Sequence, residues 1–409
     1  MKFSKPSQLF LVSSIGLLVA TFLTACNIQT IDYLFVASSG GSGSTAAGEI
    51  QTFDLDSQSG ALRAGQPTVP SGGVNPVSMA VSSDYYNLYV ANQGSNSVVH
   101  FAIDGSGVLT QKDVAATPAP PVSVATNVAG SYLFVASGTS SAKLTDYPLS
   151  SGTIGSAVSQ VALTVPGFTS DTIIPTGVTA LADNSAVYVS AYDQSAYNPG
   201  CTGTINCPAS SSANPGWVFG FTVGSGGVLT AASGSPWKAG VKPSSLVADP
   251  TSRFVYVTDF ASNELIGYTI QSGSVLNFLI NGPFKTGNEP AAVTIDPRGK
   301  FIYVANSLDS TVSAYSIDLG TGTPSSAVNT VGSQANTTDT QPVAILVDSS
   351  LGRFVYTANF LGNSVSGFQL DPTAGSLKAT QSTPYQTGHG PTALASVPHG
   401  NHSSQAVAP

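Results

Sequence analysis

A proline that opens a short apolar run recurs seven times along this chain, as Pro76, Pro121, Pro175, Pro243, Pro290, Pro342 and Pro391. The steps between them are 45, 54, 68, 47, 52 and 49 residues. A second run recurs beside these openings: YLFVAS (33–38), NLYVAN (87–92), YLFVAS (132–137), AVYVSA (186–191), FVYVTD (254–259), FIYVAN (301–306) and FVYTAN (354–359). These runs are too short for helices, rich in Val, Ile, Tyr, Phe and Thr, and bounded by turn formers. They therefore read as antiparallel strands. Asp296-Pro297-Arg298-Gly299 shows the turn chemistry, with Pro presetting one dihedral and Gly supplying positive φ. A third run such as TVSAYSI (311–317) and a more polar edge strand such as GVLTA (227–231) complete most units. Four strands per unit and a period near fifty predict an all-β fold, a seven-bladed β-propeller.

The phase of the repeat predicts how the ring closes. The chain begins on a second strand, Tyr33 to Ser38, that has no first strand before it. It ends on a first strand, Pro391 to Val397, that has no second. The C-terminal strand is thus expected to complete the N-terminal blade, which leaves no exposed sheet edge at the join. The expected organisation is a leader over 1–25, a linker over 26–30, a propeller over 31–398 and a polar tail over 399–409.

The leader carries Lys2 and Lys5, an apolar stretch from Leu9 to Leu23, and small residues before Cys26. That pattern reads as a secretory signal rather than a spanning helix. Its Leu23-Thr24-Ala25-Cys26 ending resembles the bacterial lipobox, which implies cleavage before Cys26 and lipidation of its thiol. The alternative is an ordinary signal peptide with a chance cysteine. A lipid anchor of more than one acyl chain would hold the protein stably on a membrane of the cell envelope. Asn27 in place of Asp favours the outer membrane, with periplasmic and surface exposure both open. Cys201 and Cys207 remain as a pair, for which a disulfide is expected in an exported protein. A metal is the rival reading, but no His lies nearby and the spacing fits no zinc pattern. The pair would staple a long insertion within the fourth blade, around 192–216.

Removing Lys2 and Lys5 with the leader leaves 11 basic residues against 21 acidic ones, a net charge of −10. With no basic cluster, nucleic acid is not an expected partner. Only 8% of the chain is charged, yet the apolar runs persist throughout, so the composition does not indicate disorder. No Gly-x-Ser-x-Gly elbow, His-Glu-x-x-His or phosphate loop occurs, and no cofactor or metal is expected. A monomer is expected.

Tyr-Val-Ala-Asn (303–306), preceded by Asp-Pro-Arg-Gly-Lys-Phe and followed by a Val-Ser-Ala-Tyr strand, resembles the seven-bladed lactonase family. It is also similar to the Tyr-Val-Thr-Asn repeats of surface proteins, and the likeness covers nearly the whole mature chain. The resemblance to 6-phosphogluconolactonase-like enzymes implies a Pro-Arg-His opening on one first strand and an Asn-Glu-Leu ending on the next second strand. The Arg would hold an anionic substrate, and the His or Glu would activate water against a lactone carbonyl. This chain instead has Pro290-Ala291-Ala292 and Asn306-Ser307-Leu308 at the best match. Its other openings supply no Arg-His either. The expectation is therefore a module that binds a sugar, lactone or envelope partner at the channel mouth without that catalytic set. The alternative is a divergent lactone hydrolase.

Propeller topology puts the residues entering first strands and those leaving second strands on one face. The entering set is Asn75, Lys242, Glu289, Gln341 and His389; the leaving set includes Asp193, Asp259, Asn306 and Asn359. His389 and Glu289 are the candidate bases and Lys242 the candidate substrate anchor. The polar remainder are candidate ligand contacts. For each Asn or Asp, terminating a strand by turn bonding is the competing role. For His389 the competing role, and the commoner one for a lone loop histidine, is a solvated side chain, while His100, mid-strand, is expected to pack between blades.

Overall fold

The computed structural model describes residues 29–41, 46–139, 141–167, 172–196, 215–325 and 336–400. Its strands form seven antiparallel sheets of four or five strands each. Blade 1 joins Thr30–Ser38 and Ala47–Asp56 to the C-terminal strand Pro391–Pro398, which lies innermost. The register pairs Phe35 with Ala395 and Val36 with Leu394, so head and tail share one sheet as the repeat phase predicts. Blades 2 to 7 then follow in chain order, with first strands opening at Pro76, Pro121, Ile173, Pro243, Pro290 and Pro342.

The central second strands are buried along their full length, for example Phe301–Asn306 and Phe354–Asn359. Both faces of each blade pack on a neighbour, which is why these runs are continuously apolar rather than alternating. Between blades 5 and 6 the core joins Phe254, Tyr256 and Leu265 to Val293, Ile302 and Val304. At the middle of five second strands stands a fully buried tyrosine whose hydroxyl donates to a carbonyl of the following blade. The pairs are Tyr89 to Gly152, Tyr188 to Ser274, Tyr256 to Gly322, Tyr303 to Gly375 and Tyr356 to Gly60, at 2.5–2.9 Å. Each apolar blade contact thereby gains a polar tie that fixes its angle and register. Blade 3 has Phe134 at this position, cross-strand from Asp146. Burial pushes the Asp146 carboxyl up to about 7.

The Asp-Pro-Arg-Gly turn works as its residues require. Asp296 Oδ1 accepts from the N–H groups of Lys300 and Phe301 at 2.7 and 2.8 Å, and Gly299 takes φ 67°. Asp249 and Asp348 cap their turns in the same way. After the opening proline every first strand carries a bulge: Pro290 faces Asn306, Ala291 is skipped, and Ala292 faces Ala305. The bulge re-aims one side chain toward the next blade. Ser244 Oγ reaches the Pro290 carbonyl at 2.5 Å, and Thr392 Oγ1 reaches that of Pro76 at 2.7 Å.

The fourth strand departs from expectation. In most blades it is not one edge strand but two short pieces, such as Leu62–Ala64 and Val69–Val74 in blade 1. In blade 4 the first two strands, Ile173–Ala180 and Ala186–Asp193, extend past the bulge by two residues. Cys26, Cys201 and Cys207 lie outside the described residues, and with them the expected lipid anchor and disulfide.

Candidate functional site at the channel mouth

The residues before the opening prolines share one backbone role. The carbonyls of Asn75, Lys242, Glu289, Gln341 and Gly390 accept from the N–H just beyond the second strand of their own blade, at 2.8–3.0 Å. This common bond puts the entering residues of blades 2, 5, 6, 7 and 1 around one mouth, on five consecutive blades. Asn75, Glu289 and Gln341 take φ of 53°, 53° and 60°, an uncommon conformation for residues with a Cβ. Backbone strain of this kind persists where the surroundings impose it and clusters at functional sites.

His389 does not occupy this position. Gly390 does, with φ 60°, and His389 lies one residue outside it, exposed, with its carbonyl accepting from Ser39 Oγ at 3.0 Å. Lys242 is half-buried, and its ammonium lies 4.9 Å from the Phe260 ring and 5.6 Å from the Tyr192 ring. Those aromatic faces stabilise the cation without neutralising it. Glu289 is half-buried with its N–H held by Asn263 Oδ1 at 2.8 Å. Its carboxylate has no hydrogen-bond or ion-pair partner among the described residues.

The leaving residues have a different fate from the one expected of ligand contacts. Asp259 is fully buried and accepts from the N–H groups of Val241, Lys242 and Ala261. Asn306 bonds Gly287, Thr311 and Ser313; Asn359 bonds Thr357, Ser364 and Ser366. Asp193 accepts from the N–H groups of Thr172 and Ser195. Asp193, Asp259 and Asn306 hold mouth loops in place from inside their blades, and Asn359 ties its second strand to its third. They build the rim of the mouth.

Over blades 1 to 3 the rim encloses a depression of about 630 Å³ lined by Ser39, Asn75, Gln93, Asn96, Pro120 and Thr139, with Ala46 and Gly94. Asn75 Nδ2 donates to Gln93 Oε1 at 3.1 Å. Apart from Asn75, none of these residues was singled out from the sequence. The available signal was their place immediately after a second strand, as in Asn92-Gln93 and Ser38-Ser39.

Away from the mouth, His100 is buried between Asp113 and Asn87, at 2.7 and 2.9 Å, and stacks on Tyr89. Asp113 also accepts from Ile154 N–H of the next blade, so the histidine is part of a blade-to-blade joint. Among the described residues no group of three His, Cys, Asp or Glu side chains is placed to hold a metal ion.

Residues 36–172 and 228–338 match the family described as lactonase, 7-bladed beta-propeller. A 6-phosphogluconolactonase of Serratia proteamaculans is 35% identical over 89 residues, 22% of this chain. The match spans only 26% of that relative's length. The periplasmic gluconolactonase of Pseudomonas aeruginosa superposes with a TM-score of 0.69 at 19% identity, covering 90% of this chain and 99% of that one. A protein from Lactobacillus plantarum gives a TM-score of 0.67 at 18% identity, over 90% and 100% of the two chains. At such identities the structural likeness speaks for the fold, whereas the family match covers more than half of the sequence. The chain belongs to the lactonase family of seven-bladed β-propellers.

Proposed function

We propose that this chain is an extracytoplasmic, lipid-anchored propeller that binds a sugar-derived lactone at its channel mouth and hydrolyses it. The observation that carries the reading is the Glu289 carboxylate, unpartnered among the described residues, on the strained ring of entering residues. The mouth carboxylates Asp193 and Asp259 are committed to backbone N–H groups, whereas the Glu289 carboxylate is not. In the proposed step water adds to the lactone carbonyl carbon while Glu289 takes its proton. The acyl–oxygen bond of the ring then breaks, and the ring oxygen receives that proton to give the open hydroxy acid. Lys242, on the blade before Glu289, supplies positive charge for the developing oxyanion or the product carboxylate.

A second reading, binding without turnover, is favoured by Ala291, Ala292 and Ser307. They stand where the family's enzymes would carry Arg, His and Glu. Purified chain assayed on a panel of γ- and δ-lactones, with and without divalent metal, separates the two. Glu289→Gln is expected to lower kcat/KM by roughly 10²–10⁴-fold with little change in ligand affinity. Saturable binding with no hydrolysis by the unmodified chain would establish the binding module, and neither activity would defeat both readings.

The envelope location is supported by the leader and its Leu-Thr-Ala-Cys ending. Cys26→Ser is expected to move the protein from the membrane to the soluble fraction of expressing cells. Equal membrane recovery of both forms would remove the anchor.

A further inference from the structure

We infer that the depression over blades 1 to 3 is a subsite for an uncharged polyhydroxyl group, read by the Asn75 and Gln93 carboxamides. The inference rests on the mouth being the ligand-binding face, and it adds the chemical class of the ligand. Its residues come from two positions 18 apart in sequence that the blade 2 register brings together. Asn75 enters the first strand, Gln93 follows the second, and the Gln93 N–H donates to the Asn75 carbonyl at 2.9 Å. The side chains repeat the contact, Asn75 Nδ2 to Gln93 Oε1, so each amide fixes the orientation of the other. Among the groups that remain are an acceptor, Asn75 Oδ1, and a donor nitrogen, Gln93 Nε2. Neither has a partner among the described residues.

A carboxamide offers two donors and one acceptor oxygen. Two amides joined by one bond still offer an acceptor oxygen and further N–H donors along the same lining. That arrangement matches adjacent hydroxyl groups, each of which gives and takes one hydrogen bond. The rest of the lining agrees with this class. Ser39, Asn96 and Thr139 are neutral hydrogen-bonding residues, and Pro120 with Ala46 offers apolar surface to ring C–H groups. None of the eight lining residues is ionisable. A phosphorylated sugar seated here would lose water from a dianion with no cation among those residues to replace it. The subsite therefore selects unphosphorylated polyols over their phosphate esters.

The experiment measures binding of D-glucitol, a neutral non-hydrolysable probe, and of its 6-phosphate to the full-length chain by calorimetry and saturation-transfer NMR. Gln93→Ala and Asn75→Gly are the variants, glycine retaining the left-handed backbone; unchanged melting confirms that both fold. Glucitol affinity is expected to fall about tenfold or more in each variant. The 6-phosphate should bind more weakly than glucitol. Absence of glucitol binding, equal binding by the variants, or tighter binding of the phosphate would overturn the inference. Glucitol binding that depends on Asn75 and Gln93 without any lactone turnover would sink the proposed reaction and keep this subsite. Lactone turnover with glucitol binding indifferent to both residues would do the reverse.

Discussion

A chain cut after Gly390 should lose its cooperative fold. The missing strand, Pro391–Pro398, pairs with blade 1 from Asp32↔Pro398 to Ser38↔Pro391. It buries Ala393, Ala395 and Val397 to 5%, 7% and 2% exposure. Ala395 and Val397 belong to the core shared by blades 1 and 2, and Leu394 packs against the core shared by blades 7 and 1. Burial of these four side chains is worth on the order of 5 kcal/mol. The seven ladder pairs add roughly 0.5–1.5 kcal/mol for each hydrogen bond. Against a typical net stability of about 5–15 kcal/mol, that loss removes most of the margin. It also uncovers Leu34, Phe35 and Val36 as an apolar edge, the template on which other chains pair. The expected result is soluble aggregate on size exclusion and a flat near-UV melt. A synthetic peptide spanning 390–400 added in trans should restore both. A truncated chain that stays monomeric and melts within a few degrees of the intact protein would sink the account.

How far the fold could be read from the sequence follows from which residues carry the repeat. The blade number and closure were legible because Pro76 to Pro391 and the Tyr-Val-Ala-Asn runs report burial on both faces, a demand that survives substitution. The split of the fourth strands was not. At the rim, pieces such as Leu62–Ala64 bury one residue and expose the next two, so no pattern marks where one ends. The mouth was legible as a place, since a proline fixes where each first strand begins. The roles of its polar residues were not. Asp259, Asn306 and Asn359 are the same residue types that would greet a ligand, and the same types that cap a turn. Only their burial and bonding, visible once the blades are assembled, separates the two. His389 was misplaced by one position for a related reason: Gly390 takes the left-handed backbone that Asn75, Glu289 and Gln341 adopt elsewhere. The pairing of Asn75 with Gln93 is a product of register, which no local motif announces.

Asp32→Asn should raise the melting temperature at pH 7 and above, and leave it nearly unchanged near pH 4. Asp32 is the third residue of the second strand of blade 1, and Asp348 follows the first strand of blade 7, so the two carboxyls meet at the seam where the ring closes. Both are fully buried. Asp348 accepts from the N–H groups of Leu351, Gly352, Arg353 and Phe354. Asp32 Oδ1 accepts from the Ser350 hydroxyl, while its Oδ2 has no hydrogen-bond partner. Burial, and then the charge of Asp348, pushes the Asp32 carboxyl well above the usual range. Burial also raises Asp348, opposed by its four backbone donors. The ionisable groups around the pair are the Tyr85 and Tyr356 hydroxyls, both pushed up, chiefly by burial. An acid raised in the folded state favours folding in its neutral form. That advantage is complete below the unfolded carboxylate value of about 3.9 and is lost as pH climbs toward the folded value. At neutral pH the pair therefore destabilises the seam. Asparagine keeps an oxygen for Ser350 and turns an N–H toward Asp348 without a charge. The expected gain is on the order of 1–3 kcal/mol at pH 8, a rise of a few degrees. Asp348→Asn should act in the opposite direction at every pH. It would set an amide NH₂ against the N–H groups of Leu351 and Gly352 at a cost of about 1–3 kcal/mol. Melting curves of both variants at pH 4, 6 and 8 check the pair. A gain for Asp32→Asn that persists at pH 4, or a loss at pH 8, would show that burial and the Asp348 charge do not weaken the seam in this way.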